Sequence, residues 1–211
     1  MKPADVDEFF RRLAKQRPNP KSELNYVNPY TLLVAAVLSA QATDVGVNKA
    51  TASLFARVTT PQQMINLGEA KLKNHVMSIG LYNAKSKNIM AFSKILVEKF
   101  GGEVPRTMED LTSLPGVGRK TANIILNVAY GEPVIAVDTH AFRVSNRTGL
   151  APGKTPLAVE EKLMKVVPDK WKMHAHHWII LHGRYVCIAR KPKCPECIVR
   201  DLCTYKDKTR G

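Results

Sequence analysis

Apolar side chains recur every three to four residues along most of this chain, which is the spacing that places them on one face of an α-helix. The clearest segments of this kind are 5–16, 30–40, 83–100, 156–166 and 173–185. Residues 30–40 are apolar on almost every side, so we expect this helix to lie in the centre of a core. Strand-like alternation does not occur before residue 133, and the apolar run 134–137 is too short for a sheet. The pattern predicts an all-α protein of roughly ten helices.

The stretch 107–140 predicts a short helix, a tight turn, a longer helix and then an apolar run that ends in a carboxylate. Gly116 and Gly118 allow the backbone of this turn to bend sharply and to approach a partner closely. The second helix opens with Arg119 and Lys120. Backbone amides at a helix start, together with cationic side chains, form an anion site. We therefore expect a phosphate group to bind here.

Charge supports a polyanionic partner. The 211 residues carry 32 Lys and Arg against 18 Asp and Glu, a net charge of +14, which favours nucleic acid or an anionic membrane surface. The longest apolar run, 30–40, is too short to span a bilayer, and the acidic N-terminus does not resemble a signal peptide. We expect the protein in the cytoplasm, associated with the nucleoid.

All four cysteines lie close together near the C-terminus, which favours a metal site over a disulfide framework. They are Cys187, Cys194, Cys197 and Cys203. Four thiolates can hold zinc or an iron–sulfur cluster, and the spacing alone barely separates the two. Arg190, Lys191 and Lys193 lie inside the first interval, so a metal-bound loop would present cations to a phosphate backbone.

Several candidate residues have a second interpretation. Lys120 could be one more phosphate-facing lysine, Asp138 could simply cap the helix that follows it, and Gln41 could be a surface residue at a helix end. His140 follows Asp138 closely, so it could help to shape a nucleic-acid groove. Four further histidines between positions 174 and 182 are spread over several helix faces, and we expect core or surface positions for them rather than a second metal site.

Ile79 and Leu81 flank a glycine turn before the helix 83–100. Such aliphatic side chains usually pack on a neighbouring helix, but they can also insert as a wedge between stacked bases. Lys85 and Lys87 follow, where they could contact backbone phosphates.

Four segments together resemble a known family over nearly the whole chain. LPGVGRKTA followed by VDTH, SAQATD, IGLY and the C-x6-C-x2-C-x5-C pattern are similar to the helix-hairpin-helix DNA glycosylase superfamily, and in particular to its endonuclease III family. The resemblance implies that the hairpin, at about 107–130, binds a DNA phosphate through main-chain amides, sometimes with a monovalent cation. It implies that Lys120 is the nucleophile and Asp138 the essential carboxylate.

The same resemblance implies roles for the other segments. Gln41 would fill the space left by an extruded nucleotide, the loop at 79–82 would contact the opposite strand, and the four cysteines would bind a [4Fe-4S] cluster. It also implies two lobes. One would have six helices within 22–132, and the other would join 1–21 to 133–211.

We therefore predict a base-excision-repair DNA glycosylase that removes oxidised pyrimidines and has abasic-site lyase activity through a lysine imine. Its partner would be double-stranded DNA with damaged bases or abasic sites, bound by a monomer. Two alternatives remain at this stage. One is an adenine-specific mismatch glycosylase, although such enzymes lack a lysine at the position of Lys120. The other is a non-catalytic helix-hairpin-helix protein that binds DNA.

Overall fold

The structure, a computed structural model, describes residues 1–209, and these residues contain eleven α-helices, one 3₁₀-helix and no β-strand. The all-α prediction is therefore confirmed. The elements are α1 (Pro3–Gln16), α2 (Pro29–Leu38), α3 (Asp44–Phe55), α4 (Pro61–Leu67), α5 (Glu69–Val76), α6 (Tyr82–Phe100), α7 (Met108–Ser113), α8 (Arg119–Tyr130), α9 (Thr139–Thr148), α10 (Pro156–Val166), α11 (Asp169–Tyr185) and η1 (Cys194–Glu196).

Helix starts follow local capping chemistry. Asn28 caps α2 by accepting a hydrogen bond from the Thr31 amide, with Pro29 at the first helical position. Thr107 accepts a hydrogen bond from the Asp110 amide at the start of α7. The largest error concerns α11, which begins at Asp169, four residues before the predicted start, because its first turn is mostly polar and gives little periodic signal.

The chain divides into two compact units. Residues 22–130, here called the hairpin unit, contain α2 to α8. Residues 1–21 and the chain from 131 onward, here called the cysteine unit, contain α1, α9, α10, α11 and η1. This division has its boundary at Tyr130, the last residue of α8, whereas the resemblance implies a boundary after residue 132. The hairpin unit has seven helices, one more than the resemblance implies, and Gly68, with φ 82°, lies between α4 and α5.

Helix α2 forms the centre of the hairpin unit and contacts α3, α6 and α8. Leu32, Leu33 and Leu38 are fully buried, as the apolar pattern predicts for a helix enclosed on all sides. Tyr30 adds a buried hydroxyl pair with Ser93 of α6 at 2.6 Å. Although α2 is strongly apolar it has only ten residues, and no helix within 1–209 is both long and apolar enough to cross a membrane.

Helix α1 docks on α11 in the cysteine unit, which explains its amphipathic sequence. Phe9 and Phe10 are fully buried, and Phe10 lies beside Trp178 of α11, with ring centroids 6.3 Å apart. The indole of Trp178 donates a hydrogen bond to the Arg17 carbonyl at 2.8 Å, so the end of α1 is fixed as well. Polar and aromatic contacts therefore attach the N-terminal helix to the C-terminal part of the chain.

Candidate active site and cysteine loop

The glycine turn between α7 and α8 has the geometry of a tight hairpin. The Val117 amide donates to the Leu114 carbonyl at 3.1 Å, and Gly116 has φ 78°, in the left-handed region that favours glycine. A Cβ atom at position 116 would lie 2.6 Å from Nδ2 of Asn88 in α6. The fold itself therefore requires glycine at this position.

Gly118 has different surroundings. It lacks a positive φ, and no heavy atom outside its immediate neighbours lies within 4 Å of a Cβ built on it. Its carbonyl accepts the first helical hydrogen bond of α8, from the Ala122 amide at 2.9 Å. The first amides of an α-helix have no acceptor within the helix. Gly118 thus leaves space beside a helix start, with exposed Arg119 and half-buried Lys120 next along the chain.

Asp138 caps α9 and is held on both carboxylate oxygens. Oδ1 accepts a hydrogen bond from the Ala141 amide at 2.7 Å, and Oδ2 lies 2.9 Å from Nδ1 of His140. Burial raises the pKa of this carboxyl, but the Ala141 amide and His140 outweigh that effect and hold the pKa below its usual range. Asp138 is therefore a rigid, ionised carboxylate at neutral pH, with a side chain 13% exposed.

Three histidines of α11, His176, His177 and His182, are largely buried, and His176 and His182 contact different parts of the cysteine unit. His176 is buried, and its Nδ1 lies 2.7 Å from the Ala136 carbonyl, two residues before Asp138. Burial lowers the pKa of His177 to about 3 and that of His182 to about 4, so both are neutral at pH 7. His182 lies against the cysteine loop, with Nε2 3.7 Å from Sγ of Cys197.

Backbone strain marks three of the residues predicted to contact DNA. Within residues 1–209, the non-glycine residues with positive φ are Gln41 (55°), Leu81 (60°) and Lys191 (51°). All three side chains are exposed. Left-handed conformations of non-glycine residues cost free energy and tend to occur at functional sites, so their presence here supports a functional role for these turns.

Two expectations about the 79–87 segment need correction. Ile79 is only 4% exposed, so it packs into the hairpin unit, and Leu81, at 61%, is the exposed aliphatic residue of this turn. Lys85 is also buried, and its Nζ donates to the Leu38 carbonyl at 2.9 Å. It is therefore not available to phosphate, whereas Lys87 is exposed.

The four cysteines line one cavity in the cysteine unit, and the cavity is also lined by Arg147, His182 and Tyr205. Burial raises the pKa of Cys197 to about 11, so a thiolate there needs a positive partner. The Tyr205 amide points at Sγ of Cys203 from 3.5 Å. Exposed Arg190 and Lys191 lie on the outside of the same loop.

This arrangement fits an iron–sulfur cluster. The four thiols lie around one cavity of the cysteine unit. A [4Fe-4S] cluster takes four thiolates distributed around its volume.

Two arginines of α9 that sequence reasoning missed hold the cysteine loop. Arg143 donates to the carbonyls of Cys187 and Gly183, and Arg147 donates to those of Ile188 and Ala189 at 2.7 and 2.8 Å. Their i, i+4 spacing indicates a common face of α9. That face meets a loop about forty residues away along the chain, which a local pattern does not reveal.

Comparison with known proteins places this fold in a family. The family model for the HhH-GPD superfamily base excision DNA repair proteins matches residues 34–169, and the model for the iron-sulfur binding domain of endonuclease III matches 187–203. Endonuclease III of Haemophilus influenzae and that of Escherichia coli K12 are each 57% identical to the chain over 201 residues, which is 95% of this chain and of each relative. A solved structure of a trapped endonuclease III–DNA covalent intermediate superposes with a TM-score of 0.90 at 44% identity, covering 97% of this chain and 96% of that one.

The fold and the hairpin define a helix-hairpin-helix base excision DNA repair protein. Within that class, the chain belongs to the endonuclease III family. It is a DNA glycosylase with abasic-site lyase activity, it acts on damaged double-stranded DNA, and it has a [4Fe-4S] cluster, with the iron-sulfur binding domain at residues 187–203. The predicted family, activity and cofactor are confirmed, whereas the individual site residues remain predictions.

Proposed function

We propose that this protein removes oxidised pyrimidines from duplex DNA and cleaves the strand through an imine formed on Lys120, with Asp138 as the essential carboxylate. The observation that carries the proposal is the position of Lys120. It is half-buried in the first turn of α8, two residues after the hairpin glycine Gly118, which leaves open space for a phosphate.

The chemistry requires an uncharged amine. Nζ of Lys120 attacks C1′ of the deoxyribose, the glycosidic bond breaks, and its electron pair leaves with the base, which takes up a proton. The ionised carboxylate of Asp138 stabilises the positive charge that develops on the sugar. The resulting amine adduct opens to an imine. Loss of a C2′ proton from the imine then expels the 3′-phosphate by β-elimination. Hydrolysis of the remaining imine restores the free amine of Lys120.

In this proposal each unit has its own DNA contacts. In the hairpin unit, Gln41 fills the gap left by the extruded nucleotide and Leu81 contacts the opposite strand. Extruding a base costs a few kcal/mol, and oxidised pyrimidines that have lost planarity stack poorly, so the cost is lower for them. The [4Fe-4S] cluster holds the cysteine loop, which presents Arg190 and Lys191 to backbone phosphates. In the cysteine unit, His140 pairs with Asp138 and also contacts the DNA.

Borohydride trapping tests the nucleophile. Reduction of an imine converts it into a stable amine, so wild-type protein should become covalently attached to abasic duplex DNA. Lys120→Ala should not be trapped, although it should bind the same duplex. Lys94→Ala is the control, since Lys94 is an exposed lysine of the same unit with no proposed DNA contact, and it should be trapped like wild type. Trapping of Lys120→Ala at the wild-type level would refute the assignment.

Excision from duplexes that contain single defined lesions tests the substrate class. Thymine glycol and other ring-saturated pyrimidines should be removed, and adenine opposite 8-oxoguanine should not. Preferential release of adenine would instead indicate mismatch repair. We further propose that the protein acts as a monomer on the nucleoid in the cytoplasm, which sedimentation with and without DNA would test.

A further inference from the structure

Lys85 is a buried lysine to which the proposed chemistry assigns no role. Its side chain lies inside the hairpin unit, 5% exposed, and no carboxylate among residues 1–209 forms an ion pair with it. Burial without a counter-charge lowers the pKa of its ammonium group. Burying a lysine costs free energy, so its retention at this place calls for a compensating contact.

That contact is the end of α2. The last four carbonyls of an α-helix have no donor within the helix. In α2 three of them are satisfied locally, because the Ser39 amide reaches Ala35, the Ser39 hydroxyl reaches Ala36, and the Ala40 amide reaches Val37. The fourth, Leu38, accepts from Nζ of Lys85 at 2.9 Å. A cation at this position is also favoured by the helix dipole.

Lys85 joins two strained turns. Three residues after Leu38, Gln41 has φ 55° in a turn closed by the Ala42 amide on the Ser39 carbonyl. On the other helix, the backbone amide of Lys85 donates to the carbonyl of Leu81, whose φ is 60°. Lys85 therefore hydrogen-bonds to a carbonyl at each turn: its side chain binds the Leu38 carbonyl, and its backbone amide binds the Leu81 carbonyl.

We infer that Lys85 is a positioning residue for DNA: by linking the Leu38 and Leu81 carbonyls it fixes the Gln41 turn relative to the Leu81 turn, so that both side chains enter the duplex in register. The inference rests on the proposed roles of Gln41 and Leu81. It assigns Lys85 no contact with substrate.

The test is a double-mutant cycle on base excision under single-turnover conditions, with intact, cluster-containing protein. Lys85→Met keeps the apolar stem and removes the donor. It should slow excision of a ring-saturated pyrimidine about tenfold or more, while cleavage at a preformed abasic site, where less stacking is lost, slows much less. Gln41→Ala should slow excision in wild type but add less than about threefold in the Lys85→Met protein, because the turn is already displaced.

Lys94→Met is the matched control, since Lys94 is an exposed lysine of the same helix. It should leave both rates unchanged. A second measurement concerns the free protein, in which amide hydrogen exchange should accelerate at 39–42 in Lys85→Met and not in Lys94→Met. If Lys85→Met does not fold, Lys85→Leu, which also removes the donor and keeps an apolar side chain, is used with the same criteria.

Each result decides a separate point. Additive effects of Lys85→Met and Gln41→Ala, equal slowing of excision and abasic-site cleavage, or unchanged exchange at 39–42 would overturn the positioning role. If Gln41→Ala alone leaves excision unchanged, the proposed role of Gln41 fails and the inference fails with it. If Gln41→Ala slows excision and Lys85→Met does not, only the inference fails.

Discussion

Replacing each hairpin glycine by alanine should separate the needs of the fold from those of DNA binding. At Gly116, alanine would adopt φ 78°, which costs about 1–2 kcal/mol for a residue with a Cβ atom. Its Cβ would also lie 2.6 Å from Nδ2 and 3.0 Å from Cβ of Asn88, so α6 or the turn must move. Overpacking of this kind adds about 1 kcal/mol or more.

The sum for Gly116→Ala is about 2–5 kcal/mol, which for a chain of this size lowers the melting temperature by roughly 4–20 °C. Gly101→Ala is the control for the backbone term, because Gly101 has φ 61° but nothing lies within 4 Å of its Cβ position. It should cost only about 1–2 kcal/mol. The double variant Asn88→Ala with Gly116→Ala should recover the packing part of the difference.

Gly118→Ala should behave in the opposite way. Position 118 does not have a positive φ, and there is open space around a Cβ atom placed there, so the melting temperature of the Gly118→Ala protein should stay within about 2 °C of wild type. A methyl group in the space beside the amides of α8 would obstruct a phosphate, and the loss of a charge-assisted hydrogen bond weakens binding to abasic duplex about tenfold or more. Calorimetry and fluorescence anisotropy measure the two quantities. Wild-type DNA affinity in Gly118→Ala, or a loss of stability equal to that of Gly116→Ala, would refute this reasoning.

Four further predictions concern residues of the cysteine unit. Asp138→Asn keeps a good helix cap but removes the charge, so excision should fall about 10²-fold or more, and at neutral pH the variant should lose only the stability that the ionised carboxylate contributes. Because the pKa of Asp138 is lowered, its contribution to stability is present above about pH 4 and lost as pH falls through the folded pKa; urea titrations of wild type should show this and those of Asp138→Asn should not. Arg147→Met removes the donors to two loop carbonyls, so chelators should bleach the visible absorbance of the cluster faster. Arg190→Gln and Lys191→Gln should each lower the salt dependence of DNA binding by about one unit of slope, measured between 50 and 200 mM salt.

Much of the fold was predictable because each signal is local. The cap at Asn28, the apolar run of α2 and the glycine turn before α8 each lie within a few consecutive residues, and the structure agrees with all three. The cysteine spacing was likewise predictive of the cluster once it was recognised as a family pattern.

The remaining features depend on contacts between distant segments. Ile79 and Leu81 are both aliphatic and both flank Gly80, so the local sequence does not distinguish them. Only the packing of the hairpin unit shows that Ile79 is buried and Leu81 exposed. Lys85 is similar, since a lysine in an amphipathic helix is expected at the surface, and its burial depends on a carbonyl 47 residues earlier in the chain. Arg147 becomes recognisable as a support of the cysteine loop only when α9 and that loop are seen together.

Backbone strain at Gln41, Leu81 and Lys191 indicates that the side chains of these residues are needed. A left-handed residue with a side chain costs about 1–2 kcal/mol, and glycine at Gln41, Leu81 or Lys191 would avoid that cost. Glycine does occupy the other positive-φ positions within 1–209, including Gly116, so this chain uses glycine where a turn needs only its backbone. A side chain retained at three strained, exposed positions is therefore best explained by a need for the side chain itself. The stability lost at these turns is a consequence of presenting those side chains to DNA, as the proposed function requires.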